Sequence, residues 1–141
     1  MAGPVFDGIP SAEFAFPGPL RDELVAAIMR GEKTATAGVL AEYEEEGEPV
    51  PEPGDLQVVL DSQNRGVALI EITEARVLRA AEVDEQFARD EGEGFETVAD
   101  WYAAHARFFD AYRPERFGDD TLVVAERFRL VEVYPEPRDP E

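Results

Sequence analysis

The chain contains no cysteine. That absence excludes a disulfide framework, thiolate zinc sites, iron–sulfur clusters and a cysteine nucleophile. Histidine occurs once, as His105, and serine only as Ser11 and Ser62. A histidine-based metal site or a Ser–His–Asp triad is therefore not expected, and His105 reads as an ordinary core or surface residue. No apolar run reaches the ~18–20 residues of a membrane span, and no basic-then-apolar segment opens the chain. A soluble, cytoplasmic protein with no membrane partner is expected. Phosphate loops and dinucleotide fingerprints are missing too, since neither G-x-x-x-x-G-K nor G-x-G-x-x-G occurs.

Basic residues are scarce. Thirteen stand against 32 acidic ones, for a net charge of -19. A protein gripping many phosphates should be basic, because each neutralised phosphate releases a counterion. This chain repels long nucleic acid unless a local basic pocket overrides the global field. Solubility or adaptation to high salt accounts for the acidic excess. All the basic residues but Lys33 are arginines. A lysine retained in such a composition is either chance or has a task arginine cannot perform, such as giving up a proton in a pocket.

What is present fits one ordinary domain: 141 residues, 44% of them hydrophobic. Residues 1–13 are Gly/Pro-rich and aperiodic and read as a flexible lead-in. Residues 134–141 read as a proline-broken acidic tail, leaving 14–133 as a single domain. A first helix is expected from Pro19, with Leu20, Leu24, Ala27 and Ile28 at helical spacing and Gly31 ending it. A second, acidic helix carries Val39, Leu40 and Tyr43. From Asp55 the pattern turns to a hairpin whose long second strand, VALIEITEARVL, suits a bent, barrel-like sheet. Helices over 81–90 and from Thr97 to Tyr112 follow, then a last strand from Thr121. The expectation is an α+β fold with a small antiparallel β-barrel flanked by helices.

Chemistry can sit in three places. In the last strand, Glu126 alternates with Leu122, Val124, Phe128 and Leu130 on one face. A carboxylate there is either paired with an arginine or is a pocket group that orients Lys33 or a polar ligand. Glu71 poses the same question more weakly. In GEKTAT, Lys33 and Thr36 stand three apart, and their side chains meet if Thr36 opens a helical turn. A lysine in a desolvated setting can take the proton of a hydroxyl nucleophile, although Thr36 equally fits a helix N-cap. In RDEGEGFE, Asp90, Glu91, Glu93 and Glu96 crowd a glycine turn. They form either a solvated acidic loop or a site where like charges keep one carboxyl protonated as a general acid. The twelve-residue ladder of a calcium loop is missing, and no metal is expected.

Together these motifs resemble the ASCH domain, whose fold is similar to the PUA RNA-binding barrel. The likeness runs from Phe14 to Val131. It includes GEKTAT with Gly31, Lys33 and Thr36, then VVLD, VALIEITEARV, FARDEGEG, the W-Y-x-x-H helix and VVAERF. Small bacterial members hydrolyse N(4)-acetylcytidine with a Lys and a Thr of G-x-K-x-x-T and a later Glu. The resemblance implies Lys33 as base, Thr36 as nucleophile and Glu91 as acid, with no cofactor. Gly31, Glu126, Trp101 and Arg127 are the candidate ligand contacts. The partner implied is a small nucleoside or a single-stranded RNA segment. The amidohydrolase type carries an arginine shortly after the motif threonine, whereas AGVL follows here, with Gly38. The alternatives are a non-catalytic RNA-binding module, with a basic cleft from Arg76, Arg79, Arg127 and Arg129, or a ribonuclease.

Overall fold

The computed structural model describes residues 3–141; residues 1 and 2 of the expected lead-in lie outside the described residues. Two short strands come first, β1 (Val5–Phe6) and β2 (Ile9–Ala12), followed by helix α1 (Pro19–Met29). Strand β3 (Ala35–Val39) runs straight into helix α2 (Leu40–Glu46), and β4 (Leu56–Leu60) and β5 (Gly66–Arg79) form the hairpin. A 3₁₀ turn (Ala80–Glu82) leads to α3 (Glu85–Asp90) and α4 (Val98–Tyr112), and β6 (Leu122–Arg138) ends the fold.

Local chemistry accounts for the helix limits. Pro19 supplies a preset φ at the first turn of α1, and Gly31, at φ 80°, takes the left-handed turn after its end. Asp84 and Thr97 cap α3 and α4, their side chains accepting from the N–H groups of Phe87 and Asp100.

The six strands lie in the order β1-β2-β4-β5-β6-β3. All pairings are antiparallel except β2 with β4, which is parallel. The long partners β5 and β6 form the spine, paired from Arg79↔Leu122 to Gly66↔Arg138 with bulges on the way. The expected barrel is corrected here: the sheet does not close. Among the described residues β3 pairs with β6 alone and β1 with β2 alone, so the two ends stay edges. Helices cover the sheet instead of the sheet covering itself. Val25 and Ile28 of α1 pack with Phe14, Val59, Ile70, Ile72 and Phe128. On the other side Phe87 of α3 and Trp101 and Phe109 of α4 pack with Ala35, Val39, Val123 and Ala125. Mixed α+β architecture holds.

Three segments differ from the sequence reading. The expected lead-in holds β1 and β2, and β2 pairs with β4 through Ser11↔Val58 and Ala12↔Val59. β6 runs into the expected tail as far as Arg138, with Tyr134 buried against Phe6, Val58 and Leu60. Thr36 lies in the middle of a strand, so it neither caps a helix nor opens a helical turn. No helix among the described residues is long and apolar enough to cross a membrane.

Candidate active site

Lys33 sits on the short link between α1 and β3. Its backbone N–H bonds to the Ala27 carbonyl at the end of α1, at 3.2 Å. The next residue, Thr34, donates its N–H to the Asp90 carbonyl at the end of α3 and accepts from the Phe128 N–H of β6. Three elements therefore fix the link. The side chain points inward and is only 1% exposed. Its ammonium donates to the Ala35 carbonyl at 2.9 Å, the Glu91 carbonyl at 3.1 Å and Glu93 Oε2 at 3.1 Å. The Phe14 ring lies 5.9 Å away.

Glu91, the residue after α3, is as deeply buried as Lys33, and its Oε1 lies 3.8 Å from Nζ. Its Oε2 is held from α4. Trp101 donates its indole N–H to it, and His105 Nε2 lies 3.1 Å away. Trp101 and His105 are four residues apart, one helical turn, which brings both nitrogens to one oxygen. Their rings also lie 4.4 Å apart. Oε1 is different: it is buried and has no hydrogen-bond donor among the described residues.

The two carboxyls beside Lys33 are pushed in opposite directions. Burial works to raise the Glu91 pKa. The hydrogen bond and charge of His105, the Lys33 ammonium and the Trp101 N–H outweigh it, and the group is held below the ordinary carboxylate value. Glu93 is raised, because burial, joined by the charge of Glu91, outweighs the Lys33 ammonium. Glu91 is thus kept ionised and Glu93 is the readier proton donor, a division that environment alone produces.

A second buried carboxyl lies on β6, beside β3. In the β3–β6 ladder Thr36 stands directly opposite Glu126, which puts both side chains on one face. Glu126 is 6% exposed and accepts a hydrogen bond from the Tyr43 hydroxyl of α2 at Oε2, 3.0 Å away. Burial pushes its pKa up to about 7 although the Tyr43 bond works against it. Burial and the Glu126 charge raise the Tyr43 phenol in turn. Gly38 lets Tyr43 lie over β3, since a β-carbon there would stand 3.3 Å from the ring. The arginine partner considered for Glu126 is a tyrosine.

The remaining sequence candidates fall in different settings. Gly31 forms the turn after α1. Trp101 is fully buried and serves Glu91 rather than an open surface. Arg127 pairs with Asp90 at 2.6 Å and stacks over Phe87. Glu71 pairs with Arg129. The arginines proposed for a basic cleft are each engaged by acids, Arg76 by Glu74, Arg79 by Glu82 and Asp120, Arg127 by Asp90, and Arg129 by Glu71. Among the described residues, no group of three acidic or histidine side chains is placed to hold a metal ion. No hydrogen bond among them joins Thr36 to Lys33 or Glu126.

Sequence reasoning missed His105 and Tyr43, and named Glu93 only as one of the four acids of the glycine turn. The Trp101–His105 spacing was a readable signal that both reach one neighbour. Tyr43 gave none, because its partner lies in the last strand.

A search of curated proteins yields no significant relative. Among solved structures, a protein of Enterococcus faecalis V583 is 32% identical, with a TM-score of 0.78 over 89% of this chain and 78% of that one. An ASCH domain from Lactobacillus crispatus JV V101 is 31% identical, with a TM-score of 0.72 over 86% of this chain and 80% of that one. A hypothetical protein at 14% identity and TM-score 0.57, covering 84% of this chain and 95% of that one, shares the fold alone. Residues 13–132 match the ASCH domain family, and the chain belongs to that family.

Proposed function

We propose that this ASCH domain is a hydrolase that cleaves the amide of a modified nucleoside of the N(4)-acetylcytidine type. The observation that carries the reading is the Lys33 cluster. It holds a buried ammonium, one carboxylate kept ionised, one carboxyl readier to hold a proton, and a buried oxygen, Glu91 Oε1, without a donor. Glu91 Oε1 faces the Lys33 ammonium at 3.8 Å and accepts no hydrogen bond among the described residues, which leaves it open to a donor from a ligand or from water.

In this reading Thr36 attacks the acyl carbonyl and forms an ester while the C–N bond breaks. Glu93 supplies the proton of the leaving amine, a role that the family resemblance implies for Glu91. Glu91 and Lys33 act as positioning residues. Lys33 ties the start of β3 to the acidic turn, and Glu91 is braced by Trp101 and His105. Water then releases the acid from Thr36. A neutral nucleoside also suits a chain of net charge -19, because it has no phosphate to be repelled.

The test is incubation with N(4)-acetylcytidine, with cytidine followed by chromatography and Thr36→Ala and Lys33→Ala proteins alongside. Cytidine release that is lost on Thr36→Ala is the expected result. No release from folded wild-type protein overturns the reading. A titration with cytidine or a short single-stranded RNA then decides whether the domain binds without catalysis.

A further inference from the structure

A threonine hydroxyl is a weak nucleophile until a base takes its proton. Lys33 is poorly placed to be that base. Its three N–H bonds meet three acceptors, the carbonyls of Ala35 and Glu91 and the carboxylate of Glu93. An ammonium engaged in this way has no lone pair to offer, and releasing a proton strips one buried acceptor of its donor.

Another group faces Thr36 directly. Glu126 stands across the β3–β6 ladder from it, and opposed side chains on one face have β-carbons about 4.5–5.5 Å apart. That separation brings a hydroxyl and a carboxylate within reach of each other or of one shared water after a rotamer change. The Glu126 carboxylate is anchored at one oxygen only. Tyr43 holds Oε2, and no other hydrogen bond to the carboxylate is made among the described residues. Oε1 is left for a donor.

We propose that Glu126, braced by Tyr43, is the proton acceptor for Thr36. The proposal rests on Thr36 being the nucleophile of the hydrolase reading above. The Thr36 proton passes to Glu126 as the Oγ1–acyl carbon bond forms. Glu93 protonates the leaving amine as the C–N bond breaks. Water then attacks the ester and gives its proton to Glu93, and the departing Thr36 oxygen recovers its own proton from Glu126. The sum is amide plus water to acid plus amine, and both carboxyls return to their starting state.

The setting of Glu126 matches the task, since a base works best with a pKa near the working pH and burial puts this one at about 7. Its surroundings are otherwise quiet: β3 presents Thr36, β5 presents Ala75, and α2 presents Tyr43, itself under the charges of Glu48 and Glu42.

The experiment reads acylation of Thr36 directly. Wild-type, Glu126→Gln, Tyr43→Phe and Thr36→Ala proteins are treated with p-nitrophenyl acetate, and acetyl on Thr36 is quantified by peptide mass spectrometry across pH. Glu126→Gln keeps an oxygen for the Tyr43 hydroxyl, so its fold is preserved, which circular dichroism checks. Expected is a wild-type rate that rises through about pH 7 and a loss of 10²-fold or more in Glu126→Gln. Tyr43→Phe moves the rise to higher pH, because the Tyr43 bond is what lowers the Glu126 pKa. Labelling in Glu126→Gln at the wild-type rate and pH profile overturns the proposal and leaves the nucleophile in place. Wild-type protein in which Thr36 is never labelled overturns the nucleophile reading and this proposal with it.

Discussion

Gly92 presses its α-carbon against the backbone of the Lys33 link so closely that a β-carbon there would stand 2.6 Å from the Glu32 oxygen and 2.7 Å from Lys33 Cα. The glycine of the acidic turn forms the seat of the buried lysine. Its φ of 69° adds a second reason for glycine. Gly92→Ala is expected to cost about 1–2 kcal/mol from backbone conformation and more from the collision, read as a lower urea midpoint. An unchanged midpoint would mean that the turn and the link are not in contact.

Lys33 and Glu91 are both buried, so removing one charge strands the other. Lys33→Met is expected to destabilise by about 3–5 kcal/mol. Adding Glu91→Gln removes the stranded carboxylate, and the double variant should recover at least about 1 kcal/mol relative to Lys33→Met. Strict additivity in denaturant unfolding of the four proteins would deny the coupling.

Glu126 makes the opposite contribution to stability. Its folded pKa of about 7 lies above the ordinary 4.5, so the folded state binds its proton more tightly than the unfolded state. That favours the fold below the ordinary value, and the advantage disappears as pH rises through about 7. At about 1.4 kcal/mol per pKa unit, the fall amounts to roughly 3 kcal/mol by about pH 8. Glu126→Gln should therefore be more stable than wild type at about pH 8 and lose that advantage near pH 5. Urea unfolding at both values checks it. A wild type that gains on the variant as pH rises contradicts the assignment.

The arginines of the expected basic cleft are paired locally with carboxylates. Fluorescence anisotropy with a labelled single-stranded RNA at about 150 mM salt should give no saturable binding. Tight binding that weakens steeply with added salt would establish the RNA-binding alternative.

Much of this arrangement is legible in the sequence. The helix from Pro19, the β4–β5 hairpin and the α4 face follow from period and punctuation, which are local properties. So does the anomaly of Glu126, because alternation along β6 assigns its face. Thr36 was misread because five residues of ATAGV are too short and too small to show an apolar period. Their strand state comes from pairing with β6, a partner far along the chain. The barrel expectation failed for a related reason. Strand length is visible in sequence, but closure depends on which edges meet, and helices here occupy both faces. Tyr43 joins Glu126 across 83 residues, a link that no local pattern carries.

Among the described residues β3 has a single strand neighbour, and that neighbour is the last strand, β6. During synthesis, Lys33 and Thr36 leave the ribosome early, the acidic turn later, and Glu126 close to the end. Until β6 arrives, the strand bearing Thr36 has nothing to pair with, and the ordering cost of so distant a contact is met only when the chain is nearly complete. A nascent or truncated polypeptide holding every motif up to α4 still lacks the pairing of Thr36 with Glu126. If Thr36 is the nucleophile proposed above, its labelling by an acyl probe doubles as a report on the arrival of β6 beside β3.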